Sequence, residues 1–308
     1  MDQYQRFEGL FIPTVTPFNE HLAIDHKSLD RLCNYQLGVE GVAGLVSCAR
    51  IGEGTVLRSE EKYEVFEIMG KAARRAGKLH MATIAPQSTA EAIEMLDRLA
   101  KLPVDGVMVF PPLLFCWGKV GGDLKVKFWE DLSRATKLPL VLFQIPVQNY
   151  WYDAQTVDRI AALPNVVAYK EASFDLELYT ETCRLLQKNG RAMRVLTGND
   201  RFVGKSYELG GTGALIGMAN LAVDRWAALD RAGRSGDYEE ALTIQKELHE
   251  LSSIVFAEPI VEAVSRIKAI LVDEGHIDYA GTRPPQMGID GSESERVLSS
   301  YRSLRASA

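Results

Sequence analysis

Two positively charged side chains stand where apolar segments end, and each suggests a particular chemistry. Lys170 closes the apolar run 166–170, where a buried ammonium group is costly unless it is paired. Burial lowers the pKa of a lysine, and a neutral amine can attack a carbonyl carbon. The alternative is a lysine that marks the point where a strand leaves the core. Arg50 follows the apolar run 43–48, where its guanidinium group suits a substrate carboxylate or a surface salt bridge.

Other residue types that carry chemistry lack the spacing that would make a site. The five histidines share no metal-ligand spacing with one another or with the four cysteines, so we expect no metal ion. The Gly-Gly-Thr-Gly run at 210–213 precedes an apolar run instead of leading into a helix, which predicts a tight turn and not a nucleotide-binding loop. The aromatic residues at 150–152 suit either a pocket cover or a subunit contact.

The elements that position these residues alternate between short apolar runs and amphipathic stretches. Several of the apolar runs are rich in Val and Ile and show no polar alternation, as in strands that are buried on both faces. Eight such strands with helical segments between them predict an α/β fold, a (β/α)8 TIM barrel, with an open doubly wound sheet as the rival. The eight runs are residues 10–15, 43–48, 79–84, 106–110, 138–143, 166–170, 193–196 and 213–216.

The strand pattern then stops, and helical patterns follow at 226–234, 238–252 and 259–273. Their apolar residues recur at helical spacing, so each helix needs a surface to pack against. We therefore expect two domains. Residues 1–222 form the barrel that carries the active site, and residues 223–308 form a C-terminal helical region.

Local signals predict where several helices begin. Ser88 followed by Glu91 is a capping box, because the serine accepts from the backbone and the glutamate reaches back. Segment 281–294 contains two prolines and three glycines, which predicts a loop before a last short helix. The other expected N-caps are Asp25, Ser59 and Asp175.

Composition excludes several classes of protein. Apolar residues make up 46% of the chain and charged residues 25%, an ordinary globular mixture. The 35 basic and 41 acidic residues give a net charge of −6, which disfavours a general nucleic-acid binder. No uncharged apolar run approaches ~18 residues, so we expect no membrane span. The N-terminus has no apolar signal-peptide region, and the widely spaced cysteines suit reduced thiols, so we expect a cytoplasmic protein.

Five short motifs, in this order along about 220 residues, resemble the dihydrodipicolinate synthase/N-acetylneuraminate lyase family of Schiff-base enzymes. The resemblance implies a TIM barrel, a helical tail, a homotetramer built from dimers, and Lys170 as the residue that forms the Schiff base. The motifs are Thr-Val-Thr-Pro-Phe at 14–18, Gly-Glu at 52–53 with Leu-x-Ser-x-Glu at 57–61, Lys-Glu-Ala-Ser at 170–173, Gly-Asn-Asp at 198–200, and 210–220.

Four positions of the resemblance bear on substrate binding. Where the family has two hydroxyl residues that hold the pyruvate carboxylate, this chain has Arg50 and Ile51. An isoleucine side chain cannot hydrogen-bond a carboxylate, so we expect Arg50 to bind it through charge-assisted bonds. Phe143 stands where the family has a tyrosine that shuttles protons, and a phenyl ring cannot do so. Leu215 is compatible with the family's aliphatic residue that contacts the carbonyl group.

Further departures separate this chain from the synthases of the family. Leu113 and Leu114 replace a tyrosine pair after the fourth strand, and Gln148 replaces an arginine after the fifth-strand proline. A dehydratase or hydratase-aldolase of 2-oxo acids therefore fits better than a dihydrodipicolinate synthase or a sialic acid lyase. We expect Phe143, Leu113 and Phe115 to form an apolar wall that excludes water and keeps the pKa of the lysine low.

Together these residues predict a lyase that forms a Schiff base between Lys170 and pyruvate or a related 2-oxo acid, without a metal or an organic cofactor. Dehydration and carbon–carbon cleavage both remain open. Water, Tyr150 or the substrate itself would replace the tyrosine relay. Two alternatives remain: a 4-hydroxy-tetrahydrodipicolinate synthase proper, and a catalytically weak homologue that binds a small acid. The expected partner is the small-molecule substrate, and neither nucleic acid nor a membrane.

Overall fold

A closed barrel of eight parallel strands, in sequential order, forms the centre of the computed structural model, which describes residues 2–307. The strands are Gly9–Pro13 (β1), Val42–Ser47 (β2), Leu79–Ile84 (β3), Gly106–Val109 (β4), Leu140–Gln144 (β5), Val166–Glu171 (β6), Arg194–Thr197 (β7) and Gly213–Leu215 (β8). Strand β1 pairs with both β2 and β8, which closes the sheet. The predicted (β/α)8 barrel is confirmed, and the open sheet is excluded.

Each strand overlaps its predicted run because both faces of the sheet are buried. Residues such as Met81, Met108 and Val141 pack inside the barrel. Their strand neighbours, such as Val107 and Leu142, pack outward against the helices. With apolar contacts on both sides, the strands need no polar alternation, which is the pattern that the sequence shows.

Helices surround the barrel and continue beyond it. Helix α8 lies against β1 and β8, while α9 packs on α7, α8 and α11. The helices are His26–Gly38 (α1), Ser59–Ala76 (α2), Thr89–Leu99 (α3), Gly122–Ala135 (α4), Ala154–Ile160 (α5), Leu176–Lys188 (α6), Val203–Glu208 (α7), Val223–Ser235 (α8), Tyr238–Val255 (α9), Ala263–Asp273 (α10) and Gly291–Ser307 (α11). None of these helices has the length and apolarity that crossing a membrane requires.

Most of the predicted helix starts are confirmed. The side chains of Asp25, Ser88 and Asp175 each accept hydrogen bonds from backbone N–H groups of the helix that follows. The prediction for Ser59 is wrong, because α2 already begins at this residue. Arg58 is the N-cap there, and its N–H donates to the Glu61 carboxylate at 2.8 Å.

The C-terminal region departs from expectation at the start of two helices. The helix predicted over 259–273 begins at Ala263, after a 3-10 turn at Ile260–Glu262. Helix α11 begins at Gly291, inside the segment predicted as a loop, and extends for 17 residues. Asp290 precedes it and accepts from the N–H of Glu293 at 2.8 Å, as an N-cap does. The prolines and glycines of the segment had instead favoured a loop.

Candidate active site

Lys170 lies at the C-terminal end of β6, the end at which TIM barrels carry their active groups. The register of the sheet places it beside Phe143 of β5 and Leu196 of β7. Its nitrogen lies 4.3 Å from the centre of the Phe143 ring. The residue is 8% exposed, so its amine is held in an apolar and nearly dry position.

The Lys170 amine has no counterion in contact. Among residues 2–307, no carboxylate lies within ion-pair distance of its nitrogen and no acceptor forms a hydrogen bond with it. Burial lowers the pKa of Lys170 to about 8, the positive charge of Arg50 acts in the same direction, and Asp200 opposes both. At that pKa roughly one amine in ten is neutral at pH 7, against about one in 2,500 at the ordinary value.

The turn after β2 brings Arg50 to the same end of the barrel. Gly54 packs on the Cys48 carbonyl so closely that a Cβ there would lie 1.9 Å from the oxygen. The Glu53 N–H donates to Arg50 at 3.1 Å, and Gly54 donates to Ala49 at 3.3 Å. Glu53 has a φ of +53°, a left-handed conformation that is costly outside glycine. The turn is therefore tight and strained.

This turn offers several donors for an anion. The Arg50 Nη2 atom donates to the Ile260 carbonyl at 3.2 Å, so the guanidinium group is held by the C-terminal region. Within residues 2–307, the backbone N–H groups of Arg50 and Ile51 donate to no protein acceptor. The Ile51 side chain is buried close to Gly217, next to the end of β8.

A buried ion pair fixes the turn from behind. The ammonium group of Lys268 in α10 donates to the Glu53 carboxylate, and both side chains are fully buried. Arg283 adds a backbone N–H bond to Glu53 at 3.1 Å and a two-pronged bond to Glu61 of α2, with both distances 2.7 Å. The C-terminal region thus holds the β2–α2 connection through charged groups from two sides.

Asp200 is a second titratable group at the barrel mouth, and its role was not predicted. It follows β7 and is 9% exposed, with Oδ1 accepting from the Met218 N–H at 3.0 Å. Burial raises the pKa of Asp200 to about 6, while that bond and the positive charges of Lys170 and Arg50 oppose the rise. Its place directly after a barrel strand was a signal that the sequence already contained.

The remaining predicted site residues divide into two groups. Leu215 is fully buried in the same apolar cluster as Phe143, inside the barrel. Gln148 is exposed in a 3-10 turn after β5, and no described contact joins its side chain to Lys170 or Arg50. The structure therefore brings Lys170, Arg50, Phe143 and Leu215 to the barrel mouth or its floor, and leaves Gln148 at the rim.

The predicted apolar wall has a different composition from the one expected. Leu113 is half exposed, and Phe115 packs against Phe128 of α4, outside the barrel. Phe110 instead meets the Phe143 ring edge-on, with 4.8 Å between centroids. The reason is strand parity, since Phe110 continues the inward face of Met108 while residues after it leave the strand.

Comparison with known proteins places this geometry in a family. A sequence model described as the dihydrodipicolinate synthetase family matches residues 6–301. The chain is 31% identical to a 4-hydroxy-tetrahydrodipicolinate synthase of Thermodesulfovibrio yellowstonii over 253 residues, which cover 82% of this chain and 84% of that one. A synthase of the same name from Acidiphilium cryptum is 30% identical over 253 residues, with the same coverage.

Solved structures show the same fold. Dihydrodipicolinate synthase of Thermotoga maritima superposes with a TM-score of 0.89 at 24% identity, covering 97% of this chain and 99% of that chain. A monomeric dihydrodipicolinate synthase variant gives 0.90 at 24% identity, with 99% of both chains covered. A prophage protein of the dihydrodipicolinic acid synthase family from E. coli K12, solved with pyruvate, gives 0.88 at 20% identity, covering 97% of this chain and 99% of that chain.

Proposed function

The chain belongs to the dihydrodipicolinate synthetase family and is a lyase, and on that premise we propose that it forms a Schiff base between Lys170 and pyruvate or a related 2-oxo acid. One observation supports this most strongly. The Lys170 amine is buried at the catalytic end of the barrel without a counterion, and burial lowers its pKa to about 8. A lysine that serves structure alone would be expected to be paired.

The proposed chemistry begins when the neutral Lys170 amine attacks the C2 carbonyl carbon and water leaves. The protonated imine then withdraws electrons from C3, so that a C3 proton can depart and an enamine forms. Expulsion of a C4 hydroxyl group from the enamine gives dehydration. Cleavage of the C3–C4 bond in the imine of a 4-hydroxy acid gives an aldehyde and the enamine of pyruvate.

We propose the turn after β2 as the site for the C1 carboxylate. The Arg50 guanidinium group would exchange its neutral acceptor, the Ile260 carbonyl, for a charged one, which makes a stronger hydrogen bond. The backbone N–H groups of Arg50 and Ile51 can donate to the same anion. Leu215 and Phe143 would bound the reacting carbons with apolar surface.

Within the family, a 2-oxo-acid dehydratase or aldolase is the narrower proposal. Phe143 provides no hydroxyl group beside the imine, and Leu113 is half exposed where the synthases have a tyrosine. Synthase activity proper is the second candidate, because the curated relatives at about 30% identity carry that name. A weak small-acid binder is the third. The homotetramer and the cytoplasmic location also remain proposals.

Borohydride trapping tests the Schiff base directly. The full-length protein is incubated with pyruvate, 2-keto-3-deoxy sugar acids or aromatic 2-oxo acids, reduced, and examined by peptide mass spectrometry. We expect a stable mass increment on Lys170 and none in Lys170→Ala. An unchanged increment in Lys170→Ala would end the proposal. Formation of 4-hydroxy-tetrahydrodipicolinate would favour the synthase, and adduct formation without turnover across the panel would favour the weak binder.

A further inference from the structure

Imine formation at Lys170 requires protons to move between two atoms. Attack by the neutral amine leaves an extra proton on nitrogen and a negative charge on the substrate oxygen. That oxygen must later leave as water, which requires another proton. Phe143 has no exchangeable proton, although its ring lies beside the amine, with 4.3 Å between the nitrogen and the ring centre. Another group must therefore carry these protons.

Asp200 occupies a position from which it can do so. Gly198, two residues before it, lies so close to Lys170 that a Cβ on this glycine would be 2.9 Å from the lysine Cε. The Met218 N–H holds Asp200 Oδ1 at 3.0 Å and thereby fixes the carboxyl group. Within residues 2–307, Oδ2 accepts no hydrogen bond from another residue. This oxygen also keeps some accessible surface, so it is open to a water molecule or a substrate.

Two other titratable groups at this end of the barrel are less suited to the role. Glu171 accepts from the Ser173 N–H at 3.0 Å and from the Asn199 amide at 2.6 Å, so its carboxylate braces the turn that carries Asp200. Burial, together with the neighbouring Cys116 thiol, raises the pKa of Tyr150 to about 12, so its hydroxyl group keeps its proton near neutral pH. Neither group offers a free oxygen beside Lys170.

We propose that the Asp200 carboxyl group carries protons between the Lys170 nitrogen and the substrate's C2 oxygen, in place of the absent tyrosine; this rests on the Schiff-base function proposed above. Because the carboxylate lies beyond hydrogen-bond distance of the amine, it removes the extra proton from the attacking nitrogen through one bridging water and passes it to the oxygen, which yields a neutral carbinolamine. The carboxyl group, reprotonated from solvent, then gives a proton to the departing hydroxyl. Water leaves as the nitrogen lone pair forms the C=N bond.

The charged groups that act on Asp200 suit this role. The positive charges of Lys170 on β6 and Arg50 in the turn after β2 act on Asp200 through space, and the Met218 N–H adds a neutral donor. Burial outweighs these three and raises the pKa of Asp200 to about 6, so the group can both accept and release a proton near neutral pH.

Asp200→Asn separates this proposal from a purely electrostatic role. The asparagine Oδ1 atom can still accept from the Met218 N–H, so the turn keeps its bond. The rate of adduct formation with pyruvate is measured by rapid mixing and borohydride quenching between pH 5.5 and pH 9.5. If Asp200 carries protons, we expect the rate to fall about 100-fold or more at every pH.

An electrostatic role would change the rate in the opposite direction. Removing the negative charge would lower the pKa of Lys170 further, because Asp200 now raises it. More of the amine would be neutral at pH 7, and the adduct would form faster. An equal or faster rate in Asp200→Asn therefore overturns the inference. If the unmodified protein forms no adduct, the Schiff-base proposal itself is overturned.

Two controls complete the test. Asp230 is another buried aspartate, and burial also raises its pKa to about 6. Its carboxylate accepts a hydrogen bond from the Tyr207 hydroxyl group at 2.5 Å. Asp230→Asn should therefore leave the rate unchanged. Asp200→Ala should regain rate in proportion to added formate, which can carry the proton in solution. The absence of rescue by formate in a folded Asp200→Ala protein would also contradict the proposal.

Discussion

Two buried lysines with similar surroundings have different partners in this protein. Lys170 and Lys268 each place the nitrogen over a phenylalanine ring, at 4.3 Å from Phe143 and 4.2 Å from Phe18. Burial lowers the pKa of both. Lys268, however, donates to the Glu53 carboxylate, whereas Lys170 has no such partner among residues 2–307.

The difference shows what separates a structural amine from a reactive one. A buried ammonium group with a hydrogen-bonded carboxylate stays charged and joins two elements. Burial lowers the pKa of both lysines to about 8, but only the nitrogen without a bonded carboxylate is free to attack a carbonyl carbon. The turn after β2 acts on both amines, since its Glu53 binds Lys268 and the charge of its Arg50 lowers the pKa of Lys170.

Replacing Lys170 by methionine should have the largest effect. We expect turnover to fall by about four orders of magnitude or more, because the nucleophile is gone. The free energy of unfolding at pH 7 should rise by about 1–3 kcal/mol, because the folded state no longer buries an unpaired amine whose pKa lies below that of the unfolded chain. Steady-state kinetics and urea denaturation measure the two quantities. A marked loss of stability would contradict the comparison.

The same replacement at Lys268 should act on stability instead. Lys268→Met leaves the Glu53 carboxylate buried without its partner, which costs about 3–5 kcal/mol of unfolding free energy. The borohydride adduct on Lys170 should still form. Adding Glu53→Gln removes the unpaired charge and should recover a substantial part of the loss, as urea denaturation would show. If Lys268→Met were as stable as the unmodified protein, the ion pair would not have the role that we assign to it.

The pH dependence of adduct formation tests the reactive side of the comparison. Burial lowers the pKa of Lys170 to about 8, so its neutral fraction rises as the pH increases through that value. Adduct formation by the neutral amine should accelerate about ten-fold between pH 7 and pH 9 and then level off. A rate that still rises steeply above pH 10 would indicate an ordinary exposed lysine.

The smallest effect concerns the outer part of the connection, between Glu61 and Arg283. The hydrogen bonds from Arg283 lower the pKa of Glu61 to about 2. A carboxylate with a lowered pKa adds stability above its unfolded pKa and loses it as the pH falls. Between pH 5 and pH 3 the free energy of unfolding of the unmodified protein should therefore fall by about 1 kcal/mol more than that of Glu61→Gln. The difference is small because solvent screens this partly exposed pair. Equal losses would show that the pair adds nothing.

Local patterns predicted the elements of this fold better than the contacts between them. Apolar runs located every strand, because a strand buried on both faces must be apolar along its length. Side-chain capping located three helix starts, but Ser59 was a wrong choice because Glu61 reaches back to the Arg58 N–H. Phe115 was predicted to line the barrel interior, but it packs outside the barrel. The exact end of β4, which the sequence did not give, places Phe110 against Phe143 instead.

The sequence by itself determined the barrel, the lysine at the end of β6 and the phenyl ring at the end of β5, because strand burial and residue type are local properties. Only the tertiary structure decided which buried lysine has a counterion. Glu53 and Lys268 stand 215 residues apart, and no local pattern relates them. Asp200 and Lys170 likewise act on each other only because the closed sheet brings the ends of β6 and β7 together, where desolvation alters the pKa of both groups.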